Sequence, residues 1–218
     1  MPVGECLVPS CPQWLAAPHG RTLWETGWAL SDYTMWWETV EIGGTTQPGP
    51  HTIMGDLVYT AKYRPVSTKE RSHAIEQILE KLLHFIGDVY SPTPPFQACV
   101  TAPSHSSGKI DLAGPLCRQL SERCDLEDLS DLLTEPAPAE SVKDKGTGAE
   151  RLAVLRDSLS VGFGAVSKPT GGILFVDDVF ETGATARAVC EKIKEHYPQQ
   201  SFHVITATRK RAKIVGIQ

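Results

Sequence analysis

The sequence predicts an α/β fold: a parallel sheet flanked by helices, behind an N-terminal cap of short strands and turns. Three observations predict it. Apolar runs of strand length at 97–102, 172–176 and 202–208 alternate with segments of helical periodicity at 111–123 and 185–196, and such alternation argues for parallel architecture. Residues 172–176, Gly-Ile-Leu-Phe-Val, form one continuous apolar strand. All five tryptophans fall within the first fifty residues, among several Gly and Pro and with no long helical pattern.

The elements follow in order. Residues 1–50 read as a Trp-rich cap or hood and 51–218 as the main domain, with Gln-Pro-Gly-Pro at 47–50 as the connector. Ile75, Ile78, Leu79, Leu82 and Ile86 recur at helical spacing, so 72–86 reads as an amphipathic helix, ended by the Pro-rich stretch 91–95. The strand 97–102 runs into a polar loop, 103–109. Helix 111–123 carries Leu112, Leu116 and Leu120 on one side, and Pro115 sits near its start, where a missing N–H is tolerated. Residues 134–148 are rich in Pro, Gly and charge and read as a mobile loop, followed by a short helix at 151–159. Helix 185–196 presents Ala186, Val189, Cys190 and Ile193 on one face, and Pro198 closes it.

A chain of 218 residues suffices for one sizeable core, or a core with an appendage. The formal net charge of -5 provides no overall basic footprint for nucleic acid. No apolar run approaches the roughly 20 residues that span a bilayer, and the first ten residues lack a signal-peptide pattern, so a cytoplasmic location is expected. Cys6, Cys11, Cys99, Cys117, Cys124 and Cys190 are irregularly spaced, which suits buried or free thiols better than a disulfide framework.

The segment that carries chemistry is Ile-Leu-Phe-Val-Asp-Asp-Val-Phe-Glu-Thr-Gly-Ala-Thr, 173–185. A buried strand ends abruptly in two adjacent carboxylates, Asp177 and Asp178. In open α/β sheets, ligands bind beyond the carboxyl ends of the strands. A turn containing Thr182, Gly183 and Thr185 then opens a helix, whose free N–H groups and positive dipole end suit a phosphate. Gly183 lets the backbone approach an anion closely. One end of the loop thus suits phosphate, and the other suits sugar hydroxyls or a metal. Plain helix capping by threonine explains any single piece as well, but not all of them in this order.

This segment resembles the motif by which type I phosphoribosyltransferases bind phosphoribosyl pyrophosphate (PRPP): four apolar residues, two acids and a loop ending Thr-Gly-x-Thr. The resemblance implies the type I phosphoribosyltransferase fold. It implies that Asp177 and Asp178 contact the ribose 2′ and 3′ hydroxyls and that Val179, Phe180, Glu181, Thr182, Gly183, Ala184 and Thr185 form the PRPP loop, whose last five residues hold the 5′-phosphate. Glu181 becomes a candidate for assisting proton transfer at the acceptor base, with an exposed loop carboxylate as the alternative. The residues following the first core strand would hold pyrophosphate, through Ser104, His105, Ser106 and Lys109, whose hydroxyls, amides and cation suit a diphosphate. The loop carrying Lys143 and Lys145 would close over the substrate and exclude water. Lys62 and Arg151 are further cations that would face phosphate or serve as surface charge. Magnesium is implied, held through the ligand and by Asp177 and Asp178. The implied activity is transfer of a phosphoribosyl group from PRPP to a small nitrogenous base, in a protein that often forms homodimers.

Residues 54–63, ending Lys62-Tyr63, further resemble the Lys-Tyr segment of ComF-type phosphoribosyltransferases, a group linked to competence for DNA uptake. Val-Thr-Ala-Pro at 100–103 and the segment 150–156 resemble later parts of that pattern. That group also implies the alternative of a non-catalytic PRPP- or nucleotide-binding accessory protein. Three departures stand out. The group's N-terminal zinc module has only Cys6, Cys11 and His19 as counterparts, short of the four ligands of a structural site. Its basic, Asn-containing stretch is replaced by Ser-His-Ser-Ser-Gly-Lys, and the mobile loop lacks the usual Gln.

Overall fold

The computed structural model describes residues 11–16, 23–35, 40–42, 45–47, 49–104, 110–134, 148–162 and 171–210. Their architecture is mixed α/β, a mainly parallel sheet flanked by helices. Six strands form the main sheet: β1 (Gln13–Trp14), β2 (Thr26–Asp32), β5 (Phe96–Val100), β6 (Glu127–Asp128), β9 (Gly172–Phe180) and β10 (Phe202–Arg209). Their order is β1-β2-β10-β9-β5-β6. Only β1, at the edge, runs antiparallel to its neighbour. Two small antiparallel ladders, β3 (Val40–Ile42) with β4 (Thr45–Gln47) and β7 (Leu133–Thr134) with β8 (Ser160–Val161), lie outside this sheet.

Five helices complete the described fold: α1 (Ile53–Lys62), α2 (Thr68–Tyr90), α3 (Ala113–Cys124), α4 (Gly148–Ser158) and α5 (Ala184–His196). They divide the apolar core by the alternation of the strands. Ile173 and Phe175 of β9 point to the face covered by α4 and α5, where they join Leu155, Val189 and Ile193. Leu174 and Val176 point to the other face, among Val58 of α1, Ile78 and Leu82 of α2, and Leu116 and Leu120 of α3. A strand buried on both faces has no polar position to spare, which is why the run of 172–176 is unbroken.

The helices and strands expected at 72–86, 97–102, 111–123, 151–159, 185–196 and 202–208 are present with shifted ends. Two differences have physical reasons. The central strand does not stop at Val176 but carries both acids, Asp177 and Asp178, to Phe180 as ladder residues, because Thr206 and Thr208 of β10 pair with Asp177 and Val179. The helix expected at 72–86 begins earlier, at Thr68. Ser67 accepts from the Glu70 amide while the Glu70 carboxylate accepts from the Ser67 amide, a reciprocal capping box.

Besides the two-residue strands β6, β7 and β8, two longer elements were not anticipated. Thr26–Asp32, within the expected cap, is a full strand of the main sheet, parallel to β10 along most of its length. Of the tryptophans expected to build the cap, Trp24 is buried and donates to the Leu15 carbonyl at 3.0 Å. Trp28 stacks edge-on with Trp14 and with Phe85 of α2, so this segment is tied to the main core. Trp36 and Trp37 lie outside the described residues.

The second unanticipated element is α1. Its start is fixed by contacts distant in sequence. Thr52 caps the Gly55 amide at 2.9 Å and donates to the Asp32 carbonyl at 2.6 Å, while the Ser31 hydroxyl donates to Thr52 Oγ1 at 3.1 Å. A Cβ on Gly55 would overlap the carbonyl oxygen of Tyr33, so glycine is what allows α1 to start against the end of β2. Gly55→Ala should therefore cost about 3 kcal/mol of stability, the upper end for an overpacked site. Urea unfolding of the two proteins measures it, with a change under half that size counting against this account of the α1 start.

Candidate functional site

β9 delivers its two acids to the carboxyl end of the sheet, and the chain then turns into α5. Phe180, Glu181, Thr182 and Gly183 make that turn. Gly183 has φ +74°, a left-handed conformation that costs a residue with a Cβ. A Cβ there would also stand 2.7 Å from Phe180 Cζ. Phe180 is itself braced edge-on by the Trp24 ring, 6.4 Å away. The turn thus brings the backbone to the start of α5 with Gly183 as its N-cap residue, which itself supplies no side-chain cap. The Ala184 amide points at Thr182 Oγ1, 3.3 Å away. A helix N-terminus of this form offers N–H groups and a positive dipole end to an anion.

The acid pair is electrostatically unequal. Asp178 is buried and forms an ion pair with Lys62, the last residue of α1, whose side chain is itself 21% exposed against 6% for Asp178. Burial alone would lower the Lys62 pKa, but the Asp178 carboxylate outweighs it and holds the ammonium above its ordinary value. A cation in the last turn of a helix is also favoured by the dipole. Asp177 makes no ion pair of its own among the described residues. Burial first, and the Asp178 charge second, push its carboxyl well above the usual carboxylate range. One of its oxygens, Oδ1, accepts from the Asp178 amide at 2.8 Å. β10 supports the pair from the side: Thr208 Oγ1 donates to the Asp178 carbonyl at 3.2 Å, and the Lys210 amide to the Phe180 carbonyl at 2.8 Å.

Aromatic residues line the approach from α1. Tyr33 and His51 stand 4.8 Å apart between ring centres, His51 and Tyr59 likewise 4.8 Å, and Tyr59 and Tyr63 6.0 Å. Burial pushes the Tyr33 phenol up to about 12, and the negative groups of Tyr63 and Asp178 add to it, which places this ring within electrostatic reach of the acid pair. Burial likewise lowers His51, against the opposing pull of Asp56. On the far side of the same sheet end, Arg209 bridges Asp32 and Gln13, each at 2.8 Å, and locks β10 to β2.

Asp177, Asp178, Val179, Phe180, Glu181, Thr182, Gly183, Ala184 and Thr185 are thus brought together at one sheet end, with Glu181 and Thr182 exposed. Ser104 is exposed beyond the end of β5, the strand beside β9. His105, Ser106 and Lys109, and Lys143 and Lys145 of the expected lid, lie outside the described residues, as does the side chain of Arg151. Cys6 and His19 also lie outside them, and Cys99, Cys117, Cys124 and Cys190 are free thiols. Among the described residues, no group of three or more His, Cys, Asp or Glu is placed to hold a metal ion, and no helix is long and apolar enough to cross a membrane. Of the two cations left open by the sequence, Lys62 belongs to the site, but on a carboxylate rather than facing solvent. Sequence reasoning had no access to Tyr33 and Tyr59. Their signal, tyrosines flanking a helix rather than filling its apolar stripe, is visible only once α1 is placed.

Two expectations follow from this geometry. Gly183→Ala adds both a strained φ and a clash with Phe180, so it should cost about 1–2 kcal/mol of stability, read by urea unfolding. For Asp177, a folded-state pKa above the unfolded one means stability that is full below the unfolded value and is lost as pH rises through the folded value. Asp177→Asn cannot ionise, yet its amide oxygen can still accept from the Asp178 amide. Its melting temperature should therefore exceed the parent's at pH 8 and converge with it near pH 4. Each tenfold preference of the folded parent for the protonated acid is worth about 1.4 kcal/mol of that gap. Thermal melts across that range decide it; a gap that stays constant with pH would contradict the raised pKa.

No protein-family model matches the chain, and no curated protein matches it. Among solved structures it is similar to a xanthine-guanine-hypoxanthine phosphoribosyltransferase of Helicobacter pylori, at 14% identity over 65% of this chain and 80% of that one, with a TM-score of 0.40. It is similar to an adenine phosphoribosyltransferase of Leishmania tarentolae at 12% identity over 74% and 93%, TM-score 0.36. A hypoxanthine phosphoribosyltransferase of Staphylococcus aureus matches at 14% identity over 66% and 69%, TM-score 0.35. Likeness this distant carries no weight for the chemistry, which rests on the residues of this chain.

Proposed function

We propose that the protein binds PRPP at the β9–α5 turn and transfers its phosphoribosyl group to a small nitrogenous base, releasing pyrophosphate. The observation that carries this is the closeness of an acid pair at the end of β9, Asp178 buried and Asp177 half-buried, to a helix N-terminus whose N-cap residue is Gly183. A sugar phosphate has the matching polarity: a diol for the carboxylates at one end and a phosphate for the amides at the other.

In the reaction, the bond from ribose C1 to the diphosphate oxygen breaks as a ring nitrogen of the base forms its bond to C1. The pyrophosphate leaves with the bonding pair. C1 gains oxocarbenium character, and the Asp177–Asp178 pair lies where negative charge would stabilise it. Exposed Glu181, beside the turn, is the candidate to take the proton that the attacking nitrogen sheds. Ser104, His105, Ser106 and Lys109 would hold the diphosphate, with Lys143 and Lys145 on the closing loop.

Two adjacent carboxylates, one of them already paired with Lys62, do not make a protein cage for a divalent ion. They do fit magnesium, which keeps most of its waters and takes one or two carboxylates together with ligand phosphates. When bound in this way it would neutralise charge on the departing diphosphate. Asp177 is the carboxylate available for it.

A second reading, binding of PRPP without turnover, draws on the ComF-type resemblance of the segment that forms α1 and ends in Lys62-Tyr63. One experiment separates the two. The full chain is titrated with PRPP and magnesium by calorimetry, then incubated with both and a panel of purine and pyrimidine bases while pyrophosphate is measured. The transferase reading expects release with at least one base, lowered about a hundredfold in Asp178→Asn. Binding without release for any base would leave the binding reading, and absence of PRPP binding would remove both.

A further inference from the structure

The acid pair reaches the mouth of the site on β9, yet the group that fixes its orientation comes from a different element. Lys62 stands 116 positions from Asp178 in the chain and meets it only because α1 is anchored at both ends. At its start, Thr52 ties α1 to the Asp32 carbonyl of β2. At its end, Arg71 of α2 donates to the Ala61 carbonyl at 3.1 Å, one residue before Lys62, and to the Arg64 carbonyl. Val58 and Ala61 on the buried side of the helix are fully enclosed, which fixes its rotation. The Lys62 ammonium also lies 5.9 Å from the centre of the Tyr63 ring, so the lysine is held on two sides.

We propose that Lys62 is a positioning residue for this site: it fixes the Asp178 carboxylate, and chiefly through Asp178 it sets how strongly the acid pair holds a sugar diol. The inference rests on the sugar-phosphate reading of the site. Three observations carry it. Asp178 is buried and Lys62 mostly so, and the pair is therefore less screened and less free to swing than a surface pair would be. Asp178 makes no other side-chain ion pair with a described residue. Thr208, the remaining nearby donor, reaches the Asp178 carbonyl and not its carboxylate. Without Lys62, the carboxylate would lose its aim while the strand carrying it stayed in place.

A lysine that touched the ligand's phosphate itself would be a direct binding residue, and the two roles separate in a double-mutant cycle. Calorimetry with ribose 5-phosphate and with PRPP is applied to the full chain as parent, Lys62→Met, Asp178→Asn and the double variant. Lys62→Met should weaken both ligands about tenfold, the equivalent of roughly 1.4 kcal/mol. Lys62→Arg, which keeps the ion pair, should restore most of the affinity. In the Asp178→Asn background, Lys62→Met should change little further. If Lys62→Met fails to fold, Lys62→Gln, which retains a donor for Asp178 but no charge, takes its place in the cycle with an intermediate loss. Losses that simply add would show that Lys62 acts on the ligand directly and would overturn the proposal. So would an unchanged affinity in Lys62→Met. Should the parent bind neither sugar phosphate, the function proposed for the site falls and this inference falls with it, an outcome distinct from parental binding that is indifferent to Lys62.

Discussion

Bringing two neighbouring carboxylates to the end of a strand buried on both faces sets opposing demands on the chain, and the ion pair of Lys62 with Asp178 is how they are met. The strand must be continuously apolar to fill both cores, and Ile173 to Val176 satisfy that. The next two side chains are acids in a place where charge is costly to desolvate. Burial of a carboxyl favours its protonated form, and a like charge beside it does so further. Lys62 gives Asp178 a counter-charge, while the Asp177 carboxyl stays well above its ordinary range. The placement of α1, of its Thr52 cap and of β2 behind it can be read as the support that one ammonium group requires.

The two sides of the sheet divide the work of the site. Alternation along β9 sends Asp178 toward the same face as Val176, where α1, α2 and α3 pack and where Lys62 waits. The chain then crosses to α5, which packs on the opposite face beside Ile173 and Phe175. A ligand held at both places must therefore lie over the end of β9, spanning the sheet edge from one layer to the other. That is the usual position of ligands in open α/β sheets. It also explains the extension of β9 to Phe180: pairing with Thr206, Thr208 and Arg209 of β10 carries the acids out beyond the helices on rigid backbone instead of on a loop.

The parts legible in the sequence are those in which local chemistry and global fold agree. The β9–α5 unit was readable because an apolar run, an acid pair and a Thr-Gly-x-Thr turn each have a physical reason that involves only neighbours in the chain. Leu112, Leu116 and Leu120 were readable as one buried side of α3 for the same reason. α1 was not, because its start depends on the Thr52 contact with Asp32 and on the fit of Gly55 beneath Tyr33, neither of which leaves a local pattern. β2 was hidden by its own composition. Thr-Gly-Trp-Ala-Leu-Ser-Asp holds a serine and an aspartate that are buried in the fold, where Ser31 donates to Thr52 and Arg209 to Asp32. The role of Lys62 was out of reach altogether, since nothing near it in the sequence names a partner so far along the chain.

The raised pKa of the Asp177 carboxyl has a consequence for how the site is built. A group that is disfavoured in the folded protein persists only where the surrounding structure over-determines it, and such positions gather at sites of function. Here the over-determination is visible. The Asp178 amide holds one Asp177 oxygen, β10 fixes the backbone on one side, and the Phe180–Gly183 contact fixes the turn that follows. None of these interactions can be relaxed to relieve Asp177 without losing the register that places Asp178 on Lys62. The cost at Asp177 and the order at Asp178 are therefore one feature. A ligand that brings either a hydroxyl donor or a positive charge to Asp177 would remove the cost while meeting a neighbour already held in place, so binding would need little rearrangement of the protein.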